Sequence, residues 1–245
     1  MAEGLTIWLY GQPVAIVEEE RRRLRLTYTS EALSRYALGT PLLSLSLPLR
    51  PERHTQGVVR PFLDGLLPEG ESRLTVARDF NLRASDTFGL IRAIGRDCAG
   101  ALVIQPAEEP PPPPASTLTA EPLTEQEVSE LIANLRTAPL GIDERVRLSL
   151  GGVQEKLLLT RLPDGRWGRP VDGTPTTHIV KPQIERFLAT VENEAFCMRV
   201  AKRLGLSVAH VETTMIGGRK LLVVERFDRV VDKTGAVARI HQEDF

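Results

Sequence analysis

Cysteine is scarce in this sequence: Cys98 and Cys197 are the only two among 245 residues. Two widely separated cysteines form neither a disulfide framework nor a metal-binding knuckle, and both have apolar neighbours, so we expect reduced thiols in the core. The four histidines show no metal-ligand spacing either. They are His54, His178, His210 and His241. The sequence therefore predicts no metal site.

A strong charge of one sign and long hydrophobic runs are also absent. The 31 basic residues nearly balance the 32 acidic ones, so no overall field draws the chain to DNA or to an anionic membrane. Any contact with nucleic acid would come through a partner protein. No segment approaches the roughly 18 apolar residues needed to span a bilayer, and the N-terminus does not resemble a signal peptide. We expect a cytoplasmic protein that contacts no membrane.

What is present is an ordinary globular composition, with 42 % hydrophobic and 26 % charged residues. The length allows two domains. Five consecutive prolines at 110–114 can neither continue a helix nor donate to a sheet, so residues 107–122 are predicted to form an extended linker. This divides the chain into domains at 1–106 and 123–245.

The first domain is predicted to be a small antiparallel sheet followed by helices. Short β-like runs alternate with turn signals in LTIWLY, VAIV, RLRLTYT and LLSLSLPL. Helical spacing of apolar residues follows in VVRPFLDGLLPEG and ESRLTVARDF.

The second domain is predicted to be an antiparallel sheet with a leading helix and one further helix. Thr124 and Glu127 form a capping box for the helix TEQEVSELIANLR. The runs RVRLSL, EKLLLTRL, RWGRP and THIVKP read as strands, and the helix VENEAFCMRVAKRLG ends at Gly205. Two more strands, VETTMI and KLLVVERF, flank the turn at Gly217 and Gly218. The whole chain is therefore expected to be α+β.

The stretch LSLGGVQEK, residues 148–156, combines a serine, two glycines and a lysine. Glycines let the backbone approach phosphate oxygens and direct its N–H groups at them. A hairpin turn would require glycine equally. Both interpretations are open from the loop alone.

Lys181 ends the apolar strand HIVK, and Glu194 lies on the helix that follows. In a kinase-like small lobe a strand lysine holds the nucleotide phosphates and a helix carboxylate orients it. Alternatively, Lys181 is a solvated residue at a strand end and Glu194 belongs to a charged helix face. The order of the elements favours the site.

The motifs SLGGVQEK, TPTTHIVKP, NEAF and LVVERFDR, in this order, resemble the HipA family of toxin kinases from type II toxin–antitoxin modules. PLLSLSLPL, FLDGLLPEG and IGRDCAGAL are similar to the β-rich subdomain that precedes the kinase core in that family. The resemblance implies an α+β fold in which a small antiparallel β-rich N-terminal subdomain precedes a kinase-like small lobe with one αC-like helix.

The resemblance also implies roles for individual residues. Lys181 would contact the phosphates of ATP, with Glu194 as the orienting carboxylate, and Ser149 would be the site of autophosphorylation. A phosphate on Ser149 would repel the phosphates of ATP and eject the loop; alternatively, Ser149 is an inert strand serine. The nucleotide-binding loop would be Gly151, Gly152, Val153, Gln154, Glu155 and Lys156, and the adenine hinge Glu225, Arg226 and Phe227.

The chain ends at IHQEDF without counterparts of the catalytic Asp and Asn or the Mg²⁺-binding Asp, so we expect it to be inactive by itself. A prepared fragment, a remainder of a longer kinase and a natural truncation all stay open. The resemblance implies the N-terminal part of an ATP- and Mg²⁺-dependent serine/threonine kinase that phosphorylates a translation component of the aminoacyl-tRNA synthetase type, causing growth arrest and persistence. Its partner would be a helix-turn-helix, HipB-like antitoxin that binds DNA. The alternative is a non-catalytic module that binds the antitoxin and modulates operator repression.

Overall fold

The computed structural model describes residues 4–113, 120–142, 146–171, 173–233 and 235–243. The chain divides into two compact units, of which the first comprises the described residues of 1–114, 147–152 and 241–245. The second comprises those of 115–146 and 153–240. The linker at 107–122 stays a prediction, because residues 114–119 lie outside the described residues, and a strand begins within it at Ala120.

The sheet of the first unit has four antiparallel strands in the order β3-β2-β1-β4. Leu5 and Ile7 on β1 are fully buried, while Thr6 between them is partly exposed, as alternation across a strand requires. The strands are β1 (Gly4–Leu9), β2 (Gln12–Glu20), β3 (Arg23–Tyr28) and β4 (Leu102–Pro106).

Four helices complete the first unit, and two of them, α2 and α3, were expected from the sequence. They are α1 (Ser30–Arg35), α2 (Gln56–Leu66), α3 (Gly70–Asp79) and α4 (Thr87–Ile94). The predicted strand LLSLSLPL is wrong, because residues 42–49 form turns and irregular structure. Leu43, Leu47 and Leu49 are nevertheless fully buried. Their alternation reflects burial of a loop whose amides bond locally, as from Leu47 to Ser44.

The second unit is built on a six-stranded antiparallel sheet in the order β5-β7-β6-β8-β10-β9, with a separate β11-β12 hairpin. Its strands are β5 (Ala120–Leu123), β6 (Leu157–Arg161), β7 (Trp167–Pro170), β8 (His178–Pro182), β9 (Val211–Ile216), β10 (Arg219–Glu225), β11 (Arg229–Val231) and β12 (Val237–Arg239). Its helices are α5 (Glu125–Ala133) and α6 (Thr190–Arg203). This arrangement confirms the α+β expectation.

The two helices pack on alternate side chains of β10. Leu221 and Val223 belong to the apolar cluster of α5, whereas Leu222 and Val224 belong to that of α6. Burial on both faces explains why β10 reads as a continuous apolar run. The capping box of α5 is confirmed, since the Thr124 side chain accepts from the Glu127 amide and the Glu127 carboxylate accepts from the Thr124 amide.

The core position expected for the cysteines holds for Cys98, which is buried, and is wrong for Cys197, which is exposed. Val191 and Ala195 face the sheet from α6, and Cys197 is displaced around the helix from them. No helix within the described ranges is long and apolar enough to cross a membrane.

Candidate functional site

The glycine loop is not a hairpin turn. Residues 146–156 contain no strand, so the predicted strand RVRLSL is wrong where it is described, and the hairpin interpretation of LSLGGVQEK fails with it. The alternation of Val146 and Leu148 reflects burial. The amide of Ser149 donates to the carbonyl of Asp97 at 3.0 Å. The segment is thus an irregular loop, and the Asp97 carbonyl that holds it does not belong to a β-sheet.

Two glycines are required in this loop for different reasons. Gly152 adopts φ +104°, a conformation that residues with a Cβ rarely reach. A Cβ on Gly151 would lie 2.9 Å from the carbonyl oxygen of Gly65. The loop therefore passes close to the end of α2.

Ser149 is fully buried, and its hydroxyl donates to the carbonyl of Leu66 at 2.5 Å. The interpretation of Ser149 as a serine within a strand is wrong. In this conformation the hydroxyl has no access to solvent, so a modifying enzyme could reach it only after the segment leaves the first unit.

The amide of Gly152, three residues beyond Ser149 in the loop, has an anionic acceptor. The Gly152 N–H donates to Oε1 of Glu69 at 3.1 Å. Glu69 precedes α3 and makes no side-chain capping bond to that helix. The sequence alone did not single out Glu69.

The remaining loop residues belong to the second unit. Val153 is exposed, Gln154 and Glu155 are partly buried, and Lys156, just before β6, is buried. The Glu155 carboxylate accepts from Nε of Arg136 at 3.2 Å.

Lys181 and Glu194 form an ion pair within the second unit. Nζ of Lys181 donates to Oε1 of Glu194 at 2.6 Å, and the side chains are 21 % and 34 % exposed. The interpretation of Lys181 as a fully solvated lysine is therefore wrong.

The local fold explains this pairing. Glu194 lies one turn beyond Val191, on the face of α6 that packs on the sheet, and Lys181 is opposite Leu222 in the β8–β10 register. A second pair joins Lys220 and Glu192, but both of these side chains are about half exposed. The carboxylates of the inward pair and of the surface pair thus both belong to α6.

The predicted hinge lies at the end of β10. The amides of Glu225 and Arg226 are already engaged, donating to the carbonyls of His210 and Thr177 at 2.9 Å each. Phe227 is 66 % exposed. Contact with adenine through these two amides would require both bonds to break, so the carbonyl groups and the Phe227 ring are the better candidates.

Arg226 is a structural residue that the sequence interpretation placed only in the hinge. Its buried guanidinium donates to both carboxylate oxygens of Asp228, at 2.9 and 2.7 Å, and to Oγ1 of Thr176 at 2.8 Å. Arg229 lies 3.0 Å from the same carboxylate. The motif ERFDR contains the signal for this cluster, but sequence spacing does not reveal burial.

A cavity of about 380 Å³ lies beside this cluster in the second unit. His178 lies in the wall of this cavity. Its pKa is lowered to about 4, mainly by burial and secondly by the positive charges of Arg161 and His210. His178 is thus neutral near pH 7 and stacks edge-on against Trp167. Among the described residues, no group of three or more His, Cys, Asp or Glu side chains could hold a metal ion.

Two family models match the chain. One, described as the HipA N-terminal domain, matches residues 5–105, and the other, described as the HipA-like C-terminal domain, matches residues 148–245. The two matches fall on either side of the proline-rich stretch.

Two curated relatives are similar over much of the chain. Y4mE of Sinorhizobium fredii is 42 % identical over 98 % of this chain and 58 % of its own length. The serine/threonine-protein kinase toxin HipA of Shewanella oneidensis is 38 % identical over 71 % of this chain and 39 % of its own length.

A solved structure is similar in fold. It is the complex of HipA, HipB and operator DNA from the toxin–antitoxin system of Shewanella oneidensis MR-1. The match has a TM-score of 0.76 and 29 % identity, and covers 97 % of this chain and 54 % of that chain. This chain therefore spans little more than half the length of the solved relative.

Proposed function

Because the chain belongs to the HipA family, we propose that it is the amino-terminal part of an ATP-dependent serine/threonine protein kinase toxin. The ion pair between Lys181 and Glu194 carries the proposal. It joins a central strand to the helix that packs on it, and this is the arrangement by which kinases orient a phosphate-binding lysine. An ammonium group held in place by a carboxylate can then neutralise the charge of a triphosphate.

The chemistry of the residues fits the phosphates of ATP. Lys181 offers a positioned cation, and the loop from Gly151 to Lys156 offers backbone amides at positions where a Cβ is excluded at Gly151 and disfavoured at Gly152. Glu225 to Phe227 would contact adenine through carbonyl groups and the exposed Phe227 ring. Bound ATP supplies the phosphoryl group; the residues of this chain bind and orient it. We assign no Mg²⁺ ligand among the described residues.

We propose that Ser149 is the autophosphorylation site and that its burial makes the reaction regulatory. A phosphate of about −1.5 to −2 charges has no place against the Leu66 carbonyl, so the modified segment would leave the first unit. Release would take Gly151 and Gly152 out of their positions in the first unit and weaken nucleotide binding.

The substrate and partner belong to the same proposal. The name of the Shewanella relative supports a kinase toxin, and its structure with HipB and operator DNA supports a helix-turn-helix, HipB-like antitoxin as partner. DNA would then be contacted through that antitoxin, which agrees with the nearly neutral net charge. We propose a protein of the translation machinery, of the aminoacyl-tRNA synthetase type, as the phosphorylated target.

Labelled ATP tests this function. The full product of the coding frame, incubated with ATP and Mg²⁺ and then mapped by mass spectrometry, should carry phosphate on Ser149. A product that phosphorylates protein but never Ser149 would remove the regulatory role. A full product that neither binds ATP nor labels any protein would refute the kinase proposal and leave the antitoxin-binding module.

A further inference from the structure

One carboxylate in the first unit lies where an anionic ligand of the glycine loop would compete with it. The Gly152 amide donates to Glu69 Oε1 at 3.1 Å, although the two residues are 83 positions apart. The helix dipole favours a negative charge just before a helix, and a carboxylate there can accept from the free amides of the first turn. Glu69 makes no such bond to α3. Its side chain serves the loop instead.

Two features constrain the backbone around this contact. The positive φ of Gly152 sets the direction of its N–H, and the close approach of Gly151 to the Gly65 carbonyl sets the position of the loop. Consecutive amides in such a loop are the groups that bind phosphate oxygens. A carboxylate oxygen and a phosphate oxygen are both anionic acceptors, and the one amide hydrogen cannot serve both well.

We propose that Glu69 is an autoinhibitory substitute for a phosphate: its carboxylate occupies the Gly152 amide until a nucleoside triphosphate displaces it. This inference rests on the proposed nucleotide-binding function of the glycine loop and adds a regulatory residue to it. Glu69 thereby lowers the affinity for ATP in two ways, by occupying a donor and by placing a negative charge beside the incoming phosphates.

The same contact helps to hold the loop in place. Ser149 bonds the carbonyl of Leu66, the last residue of α2, and Gly152 bonds the side chain of Glu69, just before α3, so the loop is held at two points. When a phosphate displaces Glu69, one of these two bonds is lost. The Ser149 hydroxyl bond to the Leu66 carbonyl would then be the one of these two contacts that still holds the loop.

Two substitutions separate charge from hydrogen bonding. Glu69→Gln keeps a side-chain oxygen that can accept from Gly152 but removes the charge, whereas Glu69→Ala removes both. Glu71→Gln is the matched control, because Glu71 is an exposed acid in the first turn of α3. All variants are made in the full product of the coding frame. ATP affinity is measured with Mg²⁺, and hydrogen exchange of residues 148–152 is measured without nucleotide.

We expect Glu69→Gln to bind ATP about threefold more tightly than the parent protein does, and we expect this gain to shrink as ionic strength rises. The amide hydrogens of its loop should exchange at the same rate as those of the parent protein. Glu69→Ala should also bind ATP more tightly and should exchange faster in the loop. Glu71→Gln should change neither quantity.

If the parent protein binds ATP and both Glu69 variants bind it with the same affinity as the parent, this inference is overturned while the nucleotide-binding proposal stands. Unchanged loop exchange in Glu69→Ala would also overturn it, because the contact would then not hold the loop. If none of the proteins binds ATP, the nucleotide-binding proposal fails and the inference fails with it.

Discussion

The hydroxyl of Ser149 donates to the carbonyl of Leu66 across 83 residues of sequence, and both groups lie inside the first unit. A serine in this position cannot accept a phosphate without leaving it. The conformation in the structure is therefore the unmodified, loop-bound one.

Substitution of Ser149 tests what this contact contributes. Ser149→Ala should cost about 1 kcal/mol of unfolding free energy, because one buried hydrogen bond is lost. Ser149→Asp should release the segment, since a carboxylate cannot donate to the Leu66 carbonyl and would be buried without a partner. Hydrogen exchange of residues 148–152 checks the release, with the exposed Ser207→Asp as the control. An unchanged exchange rate in Ser149→Asp would contradict this account of the contact.

The buried cluster around Asp228 should matter more for stability than surface pairs do. Asp228→Ala leaves the guanidinium groups of Arg226 and Arg229 buried without their shared carboxylate, so we expect a loss of about 3–5 kcal/mol. Asp164→Ala breaks a pair with Arg166 whose side chains are at least half exposed, and should cost less than about 1 kcal/mol. Urea denaturation of both variants makes the comparison, and equal losses would show that burial of the cluster is not what matters.

The capping box of α5 gives a local stability test. Thr124→Ala removes the acceptor for the Glu127 amide and should cost about 1 kcal/mol. Gln126→Ala on the same exposed turn should cost only a few tenths of a kcal/mol. Thermal unfolding of the two variants measures the difference. Identical midpoints would show that the cap does not stabilise the second unit.

The lowered pKa of His178 predicts that the free energy of unfolding depends on pH. Its pKa is lowered to about 4 in the folded protein by burial and by the charges of Arg161 and His210, whereas the unfolded value is 6.5. The unfolded chain therefore binds the proton first, and this contribution is fully present above pH 6.5 and is lost as the pH falls from 6.5 towards 4. His178→Gln should make the unfolding free energy less dependent on pH in this window. His54 and His241, whose pKa values are also lowered, remain in both proteins. An identical slope in variant and parent would contradict the assignment.

The sequence correctly predicted those features that depend on residues close to one another in the chain. Thr124 and Glu127 are three residues apart, and the order of strand, Lys181, helix and Glu194 follows from one strand and the helix after it. LLSLSLPL and RVRLSL misled the prediction because alternating apolar residues also occur in buried loops. Their amides find partners elsewhere, as Ser149 does at Asp97.

The contacts of Ser149 and Gly152 could not be predicted for a different reason. Leu66 and Glu69 lie 83 positions away in sequence, and nothing in the local pattern of either segment specifies the pairing. The Arg226 cluster was missed because charged residues are usually exposed, and the sequence does not reveal that Arg226, Asp228 and Arg229 are buried.

Nucleotide affinity of lysine variants is the most direct test of the central claim, that Lys181 binds the phosphates of ATP. The chain offers its own control, because Lys220 pairs with Glu192 on the same helix but is about half exposed. In the full product of the coding frame, Lys181→Ala should abolish ATP binding, and Lys220→Ala should bind ATP as the parent does. Retained affinity in Lys181→Ala would contradict the account.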